Sequence, residues 1–120
     1  MAIVAAHMLF YTPEPEALRT VLRERLGWPY VESNDPPDGW QIFALPPSEV
    51  AVHPSDGDTK HQIAFMCDDL ERTMDELRGH GIDFRGEPLD ERWGLTTTML
   101  LPGGVEVLLY ERKHASALDV

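Results

Sequence analysis

The chain has 120 residues, enough for one domain with a real hydrophobic core. Hydrophobic residues make up 42% of it and charged residues 26%, a globular balance rather than a disordered or fibrous one. The formal net charge of −11, with only ten Lys and Arg, argues against nucleic acid or an acidic membrane surface as a partner, because both bind through displaced counterions.

In chain order, "MAIVAAHMLFY" is apolar but lacks a basic leader region and a cleavage-like end, and is too short to span a bilayer. It reads as a first strand at about 2–11. "TPEPEALRTVLRERLG" follows, with Thr12 able to cap, Pro13 suited to a first helical turn and Gly27 as a stop, which predicts a helix over roughly 13–26. Short β-like runs lie near 28–33, 39–45 and 49–54, separated by "NDPPDG" and "PPS". "KHQIAFMC" is a further strand. In the helix "DDLERTMDELRGHG", Asp68 and Glu71 have capping-box spacing and Gly79 and Gly81 mark the end. Strands near 82–87, 95–101 and 104–111 complete the same order, so the chain reads as βαβββ twice. A lone cysteine, Cys67, allows no intrachain disulfide and suits a reducing, cytoplasmic setting.

Sliding the chain against itself by 55 residues aligns 7–56 with 62–111 and gives eleven identities, against roughly three or four expected from composition. They include Phe10/Phe65, Gly39/Gly94, Pro47/Pro102, Val50/Val105 and Val52/Val107, which are turn residues and alternate strand residues that a shared backbone constrains. The expected organisation is a single domain over 1–120, made of repeats at about 2–56 and 60–111 with a short polar C-terminal tail.

"HMLFYTPEPEAL", "HQIAFMCDDLERTMDELRGHGI" and the closing "LPGGVEVLLYE" resemble the vicinal oxygen chelate superfamily, which holds glyoxalase I, bleomycin-resistance proteins and extradiol dioxygenases. The resemblance covers nearly the whole chain. It implies an α+β fold in which two tandem βαβββ modules form a curved, half-barrel-like mixed sheet around a ligand cup. In the catalytic members, metal ligands project into that cup from the first and last strands of each module. Carried over, those four places are His7, His53, Gln62 and Leu108.

At the last place, where such enzymes usually carry a carboxylate, leucine offers no donor. His7, His53 and Gln62 are three neutral donors, able at most to hold a divalent ion weakly with water. Glu106 shares strand parity with Leu108 but lies about 6.6 Å away along the strand, which is too far for simple substitution. Residues of one parity, among them Tyr11, His53, Glu106, Leu108 and Tyr110, are expected to line the cup and contact a small organic ligand.

The remaining chemistry-bearing residues have plainer readings. His61 points to the opposite face from Gln62, His80 and His114 sit at a helix end and in the tail, and Cys67 ends a strand. Trp28, Trp40 and Trp93 suit an aromatic pocket, but large side chains at strand starts are more often core or dimer contacts, and the "DGDT" loop lacks the full calcium pattern. No nucleophile elbow, phosphate loop, dinucleotide fingerprint or zinc-protease pair is present.

Two functions stay open. One is a binding protein with an apolar cup and no complete metal site. The other is a divalent-metal lyase or dioxygenase in which His7, His53 and Gln62 hold the ion and Glu106 acts as a further ligand or base, with a metal-free enzyme using Glu106 or His53 as base between them. A plugged cup with a pure interaction role would show large side chains, such as Met66, Tyr11 and Tyr110, filling it. A homodimer is expected, because each half-barrel would otherwise leave an edge strand open.

Overall fold

The structure, a computed structural model, describes residues 7–33, 40–49, 51–52, 57 and 61–119. The first helix, α1, spans Pro15–Thr20 and continues as a π-helical turn over Val21–Arg25. It starts at Pro15 rather than Pro13, because a residue before proline is pushed out of the helical region and Glu14 sits at φ −122°. Thr12 turns the chain into it, its hydroxyl accepting from the Glu14 amide at 3.2 Å. Leu26 donates to the Val21 carbonyl five residues back, and Gly27 at φ +68° ends the helix.

Strands β1 (Tyr30–Ser33) and β2 (Trp40–Phe43) form an antiparallel pair in the register Tyr30↔Phe43 and Val31↔Ile42. Strand β3 (Ala64–Cys67) then leads to α2 (Leu70–Gly79), followed by β4 (Asp83–Phe84), β5 (Leu89–Glu91), β6 (Gly94–Leu101) and β7 (Val105–Arg112). The larger sheet runs in the order β3-β7-β6-β4, with β5 also on β6. The β3–β7 pairing is parallel and the others are antiparallel, so the sheet is mixed and the class is α+β.

The N-cap of α2 is Asp69, one residue later than the Asp68 that sequence spacing suggests. Its backbone is extended and its carboxylate accepts from the Arg72 amide at 3.1 Å, while Glu111 from the end of β7 accepts from the Leu70 amide at 2.9 Å. At the other end Ile82 donates to Leu77 and Gly81 to Arg78, with Gly81 at φ +83°. Those two bonds are a Schellman motif, and it seats Ile82 in the core. The helix starts are 55 residues apart and the C-caps, Leu26 and His80, are 54 apart, so the π-helical turn absorbs one extra residue in the first.

Alternation sorts the larger sheet into two faces. Thr97, Met99 and Leu101 of β6 pair with Leu109, Val107 and Val105 of β7, and this odd-numbered face packs under the helices with Leu18, Leu70, Met74 and Ile82. Leu70, Met74, Met99 and Val107 are fully buried, each contributing roughly 1.5–3 kcal/mol of transfer free energy. The even-numbered face carries Thr98, Leu108 and Tyr110 on β6 and β7, and Ala64 and Met66 beside them on β3.

Three strand expectations differ from the structure. Residues 7–11 form no strand, and 1–6 lie outside the described residues. Ala51 and Val52 are not in a strand either, and Val52 is 96% exposed. Of "KHQIAFMC", Lys60 lies outside the described residues, and within 61–67 the strand covers 64–67, paired with β7. The common cause is pairing: apolar alternation makes a strand only where a neighbour continues its backbone ladder, and ahead of β3 the Ile63 carbonyl accepts from Leu108 without a ladder extending further. The short β5 was not expected. It owes its existence to the length of β6, which pairs with both β4 and β5.

Candidate ligand cleft

Three segments meet beside the first helix: residues 7–12, α1 with its π-helical turn, and β2 with the coil that follows it. Between them lies a cleft of about 440 Å³. Leu9, Phe10, Leu18, Leu22, Trp28 and Phe43 make most of its wall, with His7, Thr12, Arg19, Gln41 and Ser48 as the polar groups. The helical period places Leu18 and Leu22 on one face, both buried, with Arg19 half-buried beside them.

Trp28 forms the end of the wall and stands edge-on to Phe65 of β3, ring centroids 5.4 Å apart, which couples the cleft to the second half of the chain. The Gln41 amide is oriented on both sides. Its oxygen accepts from Arg23 at 2.8 Å and its nitrogen donates to Glu32 at 3.3 Å.

The residues singled out in the sequence fall in several places. His7 lines the cleft, Tyr11 is 87% exposed and off it, and His53 lies outside the described residues. Gln62 is exposed ahead of β3, and Leu108 is half-buried on the even-numbered sheet face. Glu106 is on that face too, and Arg85 donates to its carboxylate. Arg19 and Gln41 carry no motif that marks them as cleft residues, because the signal that joins them is the packing of α1 against β2, and Trp28, with an aromatic pocket as its alternative reading, lines the cleft.

Tyr110 closes the far end of the sheet face, 9% exposed, under Trp93 (centroids 5.1 Å) and the tail. Its hydroxyl lies 3.0 Å from His114 Nε2, while His114 Nδ1 lies 2.6 Å from the Ala115 carbonyl. A carbonyl only accepts, so Nδ1 carries a proton, and in the neutral ring Nε2 is then the acceptor for Tyr110. Burial pushes the Tyr110 phenol up, and the nearby Glu49 charge adds to the effect. The Cys67 thiol is also pushed up by burial, as suits an inert half-buried sulfur.

Glu49, in the coil after β2, accepts from the Ser116 hydroxyl at 2.8 Å and the Ala117 amide at 2.9 Å. This latch spans 67 residues of sequence and docks the tail, with its short 3-10 turn at Ala117–Asp119, onto the body.

Residues 5–109 match the Glyoxalase/Bleomycin resistance protein/Dioxygenase superfamily. The chain belongs to that superfamily. Solved structures with the same fold include TnmS3, an antibiotic binding protein from Streptomyces sp. CB03234, at 20% identity and TM-score 0.66, covering 94% of this chain and 99% of that one. A superfamily member from Sphaerobacter thermophilus DSM 20745 is 21% identical with TM-score 0.66, over 93% and 100% of the two chains. The fosfomycin resistance protein FosX from Mesorhizobium loti is 15% identical with TM-score 0.55, over 99% and 98%. No curated protein sequence matches the chain.

The donors that the superfamily implies do not fit a metal within the described residues of one chain. His7 is in the cleft, Gln62 is exposed ahead of β3, Leu108 has no lone pair and Glu106 is bound by Arg85. Nowhere among the described residues do three His, Cys, Asp or Glu side chains gather.

The Ser116 hydroxyl, helped by the Ala117 amide, holds the Glu49 carboxyl below its usual range. A folded value below the unfolded one means that the latch stabilises the docked tail above the ordinary Glu value of about 4.3 and is lost as the pH falls through the lowered folded value. An NMR titration of the Glu49 carboxyl carbon should give a midpoint below 4.3 that rises toward it in Ser116→Ala. A midpoint unmoved by the substitution would contradict the latch.

Proposed function

We propose that this chain is a small-molecule binding protein that holds an apolar organic ligand in the cleft between residues 7–12, α1 and β2. The observation that carries the reading is the cleft itself. Its volume of about 440 Å³ falls within the 300–1,000 Å³ usual for ligand pockets, and its wall is mainly aliphatic and aromatic with a few polar groups. TnmS3 is an antibiotic binding protein, which supports a ligand of that kind for this chain. Leu108, standing where catalytic relatives usually carry a carboxylate, supports binding without a complete metal site.

Binding of the neutral fluorophore N-phenyl-1-naphthylamine tests this. Ala44 is exposed and lines the cleft, so Ala44→Trp fills the space without disturbing the core. The affinity for the probe should fall by at least about ten-fold in the variant. Equal binding by both proteins would place the ligand elsewhere.

The working form of the protein is a homodimer of a duplicated chain in a reducing, cytoplasmic setting. Eight of the eleven large apolar side chains left exposed among the described residues lie between Met8 and Val52, including Val31 at 64% and its strand partner Ile42 at 42%. A two-stranded sheet is marginal alone, and β3 is an edge of the larger sheet. The radius of gyration, 15.6 Å, exceeds the about 14 Å of a typical domain of this length, which suits a chain whose first half packs on a partner. Sedimentation equilibrium should give twice the 13.6 kDa chain mass, and a single species at the chain mass would contradict the dimer.

A further inference from the structure

The cleft's charge is unlike that of the rest of the protein. Asp and Glu supply 21 of the 120 residues, so a lining of seventeen drawn at random would hold about three; among the described lining residues there are none, and the charged member is Arg19. Of the acids near the cleft, Glu49 is held by Ser116 and Ala117, Glu16 pairs with Arg19 and Arg23 at the exposed surface, and Glu32 accepts from the lining Gln41.

Arg19 is placed to receive a negative group. Its side chain is 23% exposed, so water screens it little, and Leu18 and Leu22 set its position on the helix face that walls the cleft. Its ion pair with Glu16 is long, 3.6 Å, and Glu16 is 69% exposed, so this partner is screened and readily exchanged. A guanidinium is a planar donor set that grips a carboxylate or similar oxyanion through two parallel hydrogen bonds, and a poorly hydrated setting strengthens the grip. Nearby, Gln41 is fixed by Arg23 and Glu32, so the polar end of the cleft is held rigid before any ligand arrives.

We infer that the cleft selects apolar organic anions, with Arg19 as the counter-ion of a carboxylate or equivalent oxyanion and the Leu, Phe and Trp wall taking the hydrophobic body. This rests on the reading of the cleft as the ligand site and adds the ligand's charge to it. A protein of net charge −11 repels anions at long range, so a specific cation inside the cleft is what selects one at contact.

The test compares two probes with nearly the same aromatic frame, anionic 1-anilinonaphthalene-8-sulfonate and neutral N-phenyl-1-naphthylamine, by fluorescence titration. Wild type should bind the sulfonate more tightly. Arg19→Gln should weaken the sulfonate about ten-fold while leaving the neutral probe within about two-fold, and Arg19→Lys should keep most of the preference. The neutral probe also reports whether each variant keeps a folded cleft. If both probes bind alike in wild type and Arg19→Gln, the charge inference is overturned while the cleft reading stands. If neither probe is lost in Ala44→Trp, the cleft reading fails and this inference fails with it.

Discussion

The register of the β6–β7 hairpin decides which side chains this protein hides and which it offers. Pro102, Gly103 and Gly104 make the turn, with both glycines at positive φ, and Leu101 pairs with Val105 immediately beyond it. From there the odd-numbered residues go under the helices and the even-numbered ones go to the opposite face. A slip of one residue would exchange the two sets, burying Glu106 and exposing Val107 and Leu109, so the hydrophobic pattern and the glycine turn enforce each other.

The same turn also joins the halves of the chain. The Thr12 hydroxyl donates to the Gly103 carbonyl at 3.3 Å, and a Cβ at Gly103 would collide with that hydroxyl, so the approach requires glycine on grounds of both space and backbone angle. Leu18 reaches the core of the second half, and Trp28 meets Phe65. These contacts hold α1 against the larger sheet, while β1 and β2 remain a separate pair. The cleft is the space left between a helix anchored to one sheet and a strand belonging to another, and Arg19 lies on the helix that forms its wall.

Much of the frame was legible in the sequence because it follows from local chemistry. The "HGI" end of α2 dictates its cap, the alternation of "VEVLLYE" dictates its faces, and the 55-residue offset gives the separation of the two helix starts, although the first lies at Pro15 rather than Pro13. The Asp68–Asp69 doublet left the cap ambiguous by one residue, which only the extended backbone at Asp69 resolves. The π-helical turn in "VLRER" carries no signature, since its sequence suits an α-helix equally well. The site was less legible. Glu49 finds Ser116, and Arg85 finds Glu106, across distances in sequence that no periodicity encodes. The cleft draws on three separate segments, and of the positions assigned to metal or ligand from the sequence His7 alone lines it among the described residues.

Leu108 bears most directly on whether this superfamily fold holds its ligand with or without a metal. Leu108 is half-buried, beside Ala64 on one side and Thr98 on the other, at the place where the sequence resemblance puts the carboxylate of catalytic relatives. The deciding measurement is elemental analysis of untagged protein after dialysis against zinc, iron, nickel and manganese, with His7→Ala alongside. The account predicts no stoichiometric metal in either protein. Near-stoichiometric metal in the wild type that is lost in His7→Ala would contradict it and point to a metal enzyme whose remaining ligands are completed outside the described residues of one chain.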